Sequence, residues 1–148
     1  MSLLTHVDYL IVHCSATPPS LDIGAADIRR WHLERGFADI GYHFVIRRDG
    51  SLEAGRPLHV VGAHARPWNQ RSVGICLVGG VNASRKPANN FTKEQFSSLR
   101  ELIRKLTVKY PGVAIIGHRD VPGVKKACPS FDVKFWLKKE GMDHGSTN

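Results

Sequence analysis

An α/β fold with a mixed central sheet flanked by helices is what this sequence predicts, on three observations. Runs of branched and aromatic residues recur near the start, in the middle and near the end of the chain. Stretches with helical apolar spacing separate them. A tight Asp49-Gly50 turn folds two of the runs back on each other, so at least one pairing is antiparallel. With 148 residues, 42% hydrophobic and 23% charged, the chain suffices for one sizeable core and is short for two. One domain over 1–148 is expected, its core at 7–140 and a frayed tail at 141–148.

The elements follow in order. Residues 7–13, Val-Asp-Tyr-Leu-Ile-Val-His, read as a central strand ending on His13. Two prolines make 15–20 a loop, and Asp22 is the expected cap of a helix that turns Ile28 and Trp31 inward and stops at Gly36. Residues 41–47 read as a strand that Tyr42 opens after Gly41, with its phenol accessible; 51–54 is the return after the Asp49-Gly50 turn. From Gly55 to Ser72 the periodicity is lost, broken by Pro57, Gly62 and Pro67, with His59, His64, Trp68 and Asn69 scattered between. A loop of that length and content suits a cleft wall. Residues 73–78 form another buried strand with Cys76 in the core, and 81–90 is a polar connection to which no chemistry is assigned.

The clearest helix starts at Thr92. Its hydroxyl can cap while Gln95 returns the bond, Phe91 and Phe96 staple the box, and Leu99, Leu102, Ile103 and Leu106 carry the apolar stripe. Tyr110-Pro111-Gly112 ends it, and 113–116 is the strand that delivers His118. A last helix is expected to begin at Ser130, bury Phe131 and Phe135, and close with Lys138 and Lys139 against its C-terminal dipole.

Composition bounds the partners. The net charge of +8 is spread along the chain without a basic block, which favours an anionic partner but says nothing of chemistry. No nucleic-acid-binding motif is present, so no direct nucleic-acid partner is expected. Three cysteines without tight spacing argue against a disulfide framework and for a reducing compartment. Residues 1–10 lack the basic start and apolar core of a signal peptide, and no apolar run approaches the roughly 18 residues of a membrane span. A monomer made in the cytoplasm, without a membrane span, is the expectation.

Chemistry concentrates in residues 115–131, where an apolar strand gives way to a loop carrying His118, Lys126 and Cys128. His and Cys bind zinc, and a catalytic zinc takes three protein ligands and keeps one position open. His13, at the end of another central strand, can be the third if the two strands are neighbours. Such an ion acidifies water or polarises a carbonyl. The Lys126 ammonium could then stabilise an oxyanion, and the Tyr42 phenol could move a proton or orient the water. Ordinary structural roles stand beside each of these: a strand-end His, a half-buried Tyr and a solvated Lys pair are all common. A cysteine hydrolase built from Cys128 and His118 also stays open on residue types.

The strings Ile11-Val12-His13-Cys14-Ser15-Ala16-Thr17, Gly41-Tyr42-His43-Phe44-Val45-Ile46 and Lys126-Ala127-Cys128-Pro129-Ser130-Phe131 resemble those of the zinc-dependent type 2 N-acetylmuramoyl-L-alanine amidases. So does Gly62-Ala63-His64-Ala65 followed by Asn69 and Ser72-Val73-Gly74-Ile75. That family includes the peptidoglycan recognition proteins, and the likeness is strongest to the lysozymes (endolysins) of the T-seven group of short-tailed coliphages. The resemblance implies a zinc held by His13, His118 and Cys128, with Tyr42 and Lys126 as the catalytic pair and His64 and Asn69 lining the substrate cleft. It implies hydrolysis of the amide between N-acetylmuramic acid and L-alanine in peptidoglycan, after release of the protein from the host cytoplasm to the wall. A second role, inhibition of a phage RNA polymerase through a separate surface, comes with the same resemblance. A non-catalytic peptidoglycan-binding module of the same fold is the alternative, against which the presence of Cys128 counts.

Overall fold

The computed structural model describes residues 1–142, so residues 143–148 of the expected frayed tail lie outside the described residues. Five strands, β1 (Tyr9–Cys14), β2 (Phe44–Ile46), β3 (Leu52–Ala54), β4 (Ser72–Leu77) and β5 (Ala114–Gly117), form one sheet in the order β3-β2-β4-β1-β5. β1 runs parallel to both β4 and β5, β2 runs parallel to β4, and among these five strands of the described residues only the β2–β3 hairpin is antiparallel. Helices α1 (Ala25–Glu34), α2 (Lys93–Lys109) and α3 (Val133–Lys139) flank it. The sheet is mixed, as the turn at Asp49-Gly50 requires: Gly50 adopts φ +89°, and its N–H returns to the Arg47 carbonyl at 2.9 Å.

Side-chain alternation along the strands sorts the core into two faces. Leu10 and Val12 of β1 and Val73, Ile75 and Leu77 of β4 pack with Leu99, Leu102, Ile103 and Leu106 of α2 and Val133 and Leu137 of α3. On the other face Val45 and Cys76 pack with Ile28 and Ile40, and Ile11 and Ile116 pack with Ala65 and Val121. His13 therefore shares the face of Ile11, away from α2.

The start of α2 is as the sequence implies. Thr92 Oγ1 accepts from Gln95 N at 3.0 Å, Gln95 Oε1 accepts from Thr92 N at 3.0 Å, and the Phe91 and Phe96 rings meet at 6.0 Å. Gln95 is fully buried, and its Nε2 also donates to the Ile46 and Val78 carbonyls at 3.2 and 2.9 Å, tying the helix to the ends of β2 and β4. Ile46 O keeps the Val78 N–H and Val78 O keeps an Arg48 N–H, so neither carbonyl is orphaned without Gln95. Gln95→Leu should therefore lower the unfolding free energy by about 1–3 kcal/mol, read as a fall in the urea midpoint at unchanged slope.

Three expectations are corrected. Asp22 does not cap α1; the cap is Gly24, whose N–H donates to Asp27 Oδ2 at 3.0 Å, while Ala25 N donates to Glu53 Oε1 at 2.8 Å. A carboxylate from β3 thus does what a local cap would do, and Asp22 pairs with Arg47 at 3.3 Å instead. Gly36 does stop α1, with φ +92°. Tyr42 precedes β2 rather than opening it and is half-buried, its ring 5.0 Å from that of His13 and 5.5 Å from that of His32. The last helix starts after Asp132, not at Ser130, whose φ of +73° is incompatible with a right-handed helical turn. Phe131 is buried ahead of it, but Phe135 is 66% exposed, because Val133 and Leu137 occupy the inward face and the residue midway between them points out.

Candidate metal centre

The strand order settles the condition that the sequence left open: β1 lies between β4 and β5. His13 sits one residue from the end of β1, and His118 is the first residue after β5, so two parallel neighbours deliver both imidazoles to one edge of the sheet. Their ring centroids are 4.4 Å apart. Cys128 arrives on the loop after His118, which is held in place by Arg119 N donating to the Cys128 carbonyl at 2.8 Å. Ligand atoms of His13, His118 and Cys128 all lie within 4.8 Å of one another. Donor atoms around a tetrahedral zinc are separated by about 3.3–3.6 Å, given its usual bond lengths, so this group fits the ion after small side-chain rotations.

Neighbouring groups shift all three side chains, the thiol in one sense and the imidazoles in the other. The Cys14 N–H donates to Cys128 Sγ at 3.2 Å, a contact that favours a thiolate. The hydrogen bond between the Cys14 and Cys128 thiols outweighs that contact: it lowers the Cys14 thiol to about 7 and, with burial, pushes the Cys128 thiol well above its ordinary value. Burial, helped by His64 and His118, holds His13 well below the usual histidine range. Burial and the Lys126 ammonium lower His118. His64 is pushed down to about 3, chiefly by burial and then by His43 and His118. All three imidazoles are thus neutral at pH 7, the state that a metal ligand requires.

The sign of the resulting pH dependence is fixed. These folded-state values lie below the unfolded value of about 6.5, so on acidification the unfolded chain takes up protons first. Stability contributed by the neutral imidazoles is complete above about pH 6.5 and is lost as pH falls toward the His64 value of about 3. Urea midpoints of the metal-free protein should fall continuously from pH 7 to pH 4; a flat profile would contradict this electrostatic account.

The other expected site residues are also near. His64 touches His13, with His13 Nε2 and His64 Nδ1 2.9 Å apart. Asn69 Oδ1 accepts from both His64 N and Ala65 N at 2.8 Å, so its carbonyl braces the loop that carries His64. Trp68 of the same loop stacks on Tyr9 at 4.3 Å. Burial and the neighbouring Cys76, Cys128 and Cys14 thiols raise the Tyr42 phenol well above its ordinary value. Lys126 is exposed, and its charge reaches His118. Cys14 and Ser72, which contact Cys128 and His64, receive no role from the sequence, although both lie inside the motif strings that carry the resemblance. A concavity of about 610 Å³ between α2, β5 and α3, lined by Ile103, Ile115 and Leu137, contains none of these groups. Apolar volume does not mark the chemistry here.

A family model described as N-acetylmuramoyl-L-alanine amidase matches residues 4–131. The chain belongs to that family. It is 50% identical over 139 residues to the endolysin of Klebsiella phage KP32, covering 92% of this chain and 91% of that one. Over 135 residues it is 50% identical to the endolysin of Escherichia phage T7, covering 91% of this chain and 88% of that one. Among solved structures it is similar to the N-acetylmuramoyl-L-alanine amidase LysC from Clostridium intestinale URNW, at 29% identity and a TM-score of 0.78, covering 97% of this chain and 93% of that one. The resemblance carried by the motifs, including its phage-endolysin character, is therefore the relationship found, and the chain is an enzyme of the amidase family. Among the described residues no helix is long and apolar enough to cross a membrane.

Proposed function

We propose that this chain is a zinc-dependent endolysin that hydrolyses the amide between N-acetylmuramic acid and the L-alanine of the peptidoglycan stem peptide. The observation that carries this reading is the approach of His13, His118 and Cys128 ligand atoms to within 4.8 Å, at the ends of two parallel strands and on the loop between β5 and α3. Zinc bound there would supply Lewis acidity, which acidifies water and polarises an amide carbonyl. The chain's own residues do the rest. Tyr42, held protonated, donates a hydrogen bond at the reacting centre and assists proton transfer. Lys126 presents its ammonium to the oxygen that gains negative charge when the carbonyl becomes tetrahedral. His64 and Asn69 line the cleft beside the ligands. One domain over 1–148, acting as a monomer on the wall after synthesis in the host cytoplasm, completes the reading.

Release of free L-alanine amino groups from purified peptidoglycan tests it. Activity lost on chelation and recovered with zinc supports the proposal. If the protein sediments with the wall but releases no amine, it is a binding module of the same fold. Lys126→Met should lower kcat about 10–100-fold, short of the loss typical of a buried oxyanion donor because water screens an exposed ammonium. Zinc affinity should not change. The polymerase inhibition that the resemblance carries would use a surface apart from the metal ligands, and retention of a phage RNA polymerase by the zinc-free protein tests it.

A further inference from the structure

The contact between His13 and His64 has a direction, which can be worked out from its far end. Ser72 Oγ lies 2.7 Å from the Trp68 carbonyl, which can only accept, so the one hydroxyl proton of Ser72 is committed there. Ser72 Oγ is also 3.3 Å from His64 Nε2, where it can now only accept. A neutral imidazole carries one N–H, so that of His64 is on Nε2 and its Nδ1 holds a lone pair. At 2.9 Å from that lone pair, His13 must donate from its own Nε2. Its Nδ1 is left with the lone pair.

The surroundings hold this orientation. Ser72 is wholly buried at the start of β4. His64 lies against Gly74, where a Cβ would come within 2.6 Å of the ring, so a side chain there would displace the imidazole. Asn69 fixes the backbone of His64 and Ala65.

We propose that Ser72 and His64 form a positioning relay that holds His13 as its Nε2–H tautomer and makes His13 Nδ1 the atom that faces the metal. Trp68 O anchors the relay, and neither Ser72 nor His64 needs to touch substrate for it to work. Without Ser72, His64 is free to place its proton on Nδ1; His13 Nε2 would then have to accept, and the lone pair would leave Nδ1. Outer partners of this kind control metal affinity by about 10–100-fold. The donor assignment rests on the zinc reading; the tautomers are a property of the chain alone.

Long-range ¹H–¹⁵N correlation spectra of the metal-free protein separate the two tautomers, because only the protonated nitrogen has the pyrrole-type shift. His13 and His64 should both show Nε2–H. In His64→Ala the His13 signature should become a mixture and zinc affinity, measured against a chromogenic chelator, should fall about 10–100-fold. His64→Asn restores an acceptor at the Nδ1 position and should rescue both readouts. Ser72→Ala should convert His64 to a mixture and weaken zinc similarly; should that buried change prevent folding, the wild-type spectrum and the two His64 variants still decide. An Nδ1–H signature on His13 in the wild type, or His64→Ala with unchanged spectrum and affinity, overturns the relay. Expected tautomers in a protein that fails to bind zinc overturn the donor assignment together with the zinc reading, and leave the relay standing.

Discussion

Cys128→Ser should abolish amide hydrolysis and zinc binding together. Cys128 supplies the one soft, ionisable donor of the three; the neighbouring Cys14 thiol and burial push its thiol well above the ordinary value, so a bound ion would itself have to displace the proton. A serine hydroxyl in its place stays protonated at neutral pH and does not balance the ion's charge. Zinc affinity should fall by more than the roughly 100-fold that an outer partner can command, and turnover should drop to assay background. The fold should survive, since Cys128 is half-buried and lies outside the three apolar clusters. Amine release, chelator competition and a thermal midpoint of the metal-free variant measure the three effects separately. Loss of activity in Cys128→Ser alongside wild-type activity that persists after chelation would replace the metal reading with a Cys128 nucleophile.

Tyr42→Phe should reduce kcat by about 10²–10⁴-fold while leaving zinc affinity unchanged. The phenol is held protonated by burial and by the Cys76, Cys128 and Cys14 thiols, so it is a hydrogen-bond donor across the working pH range. Its ring packs 5.0 Å from His13, a contact that phenylalanine keeps. Only the proton-bearing oxygen is removed. Separate measurement of kcat, KM and zinc binding distinguishes this from a packing defect: a variant that loses zinc, or retains full kcat, assigns Tyr42 to structure.

Much of this was legible because it is local. The Thr92–Gln95 box, the Asp49-Gly50 hairpin and the stripe from Leu99 to Leu106 each declare themselves within a few residues. Where the reading failed, the deciding partner was distant or the backbone unusual. The first turn of α1 is satisfied by Glu53, 28 residues from Ala25, so Asp22 was a reasonable cap that the fold did not need. Ser130 in a left-handed conformation delays α3 by one turn, and that shift turns Phe135 out to solvent.

The sequence by itself determined the strands, the residue types able to bind zinc, and the placing of His13 and His118 at strand ends, because periodicity and composition record these directly. Only the tertiary structure decided that β1 lies beside β5, that Cys128 meets both imidazoles, that Tyr42 is half-buried, and that Ser72 orients His64 toward His13. Parallel pairing joins segments a hundred residues apart, and hydrogen-bond direction along the relay depends on residues from different strands and a loop. Neither leaves a mark on local spacing.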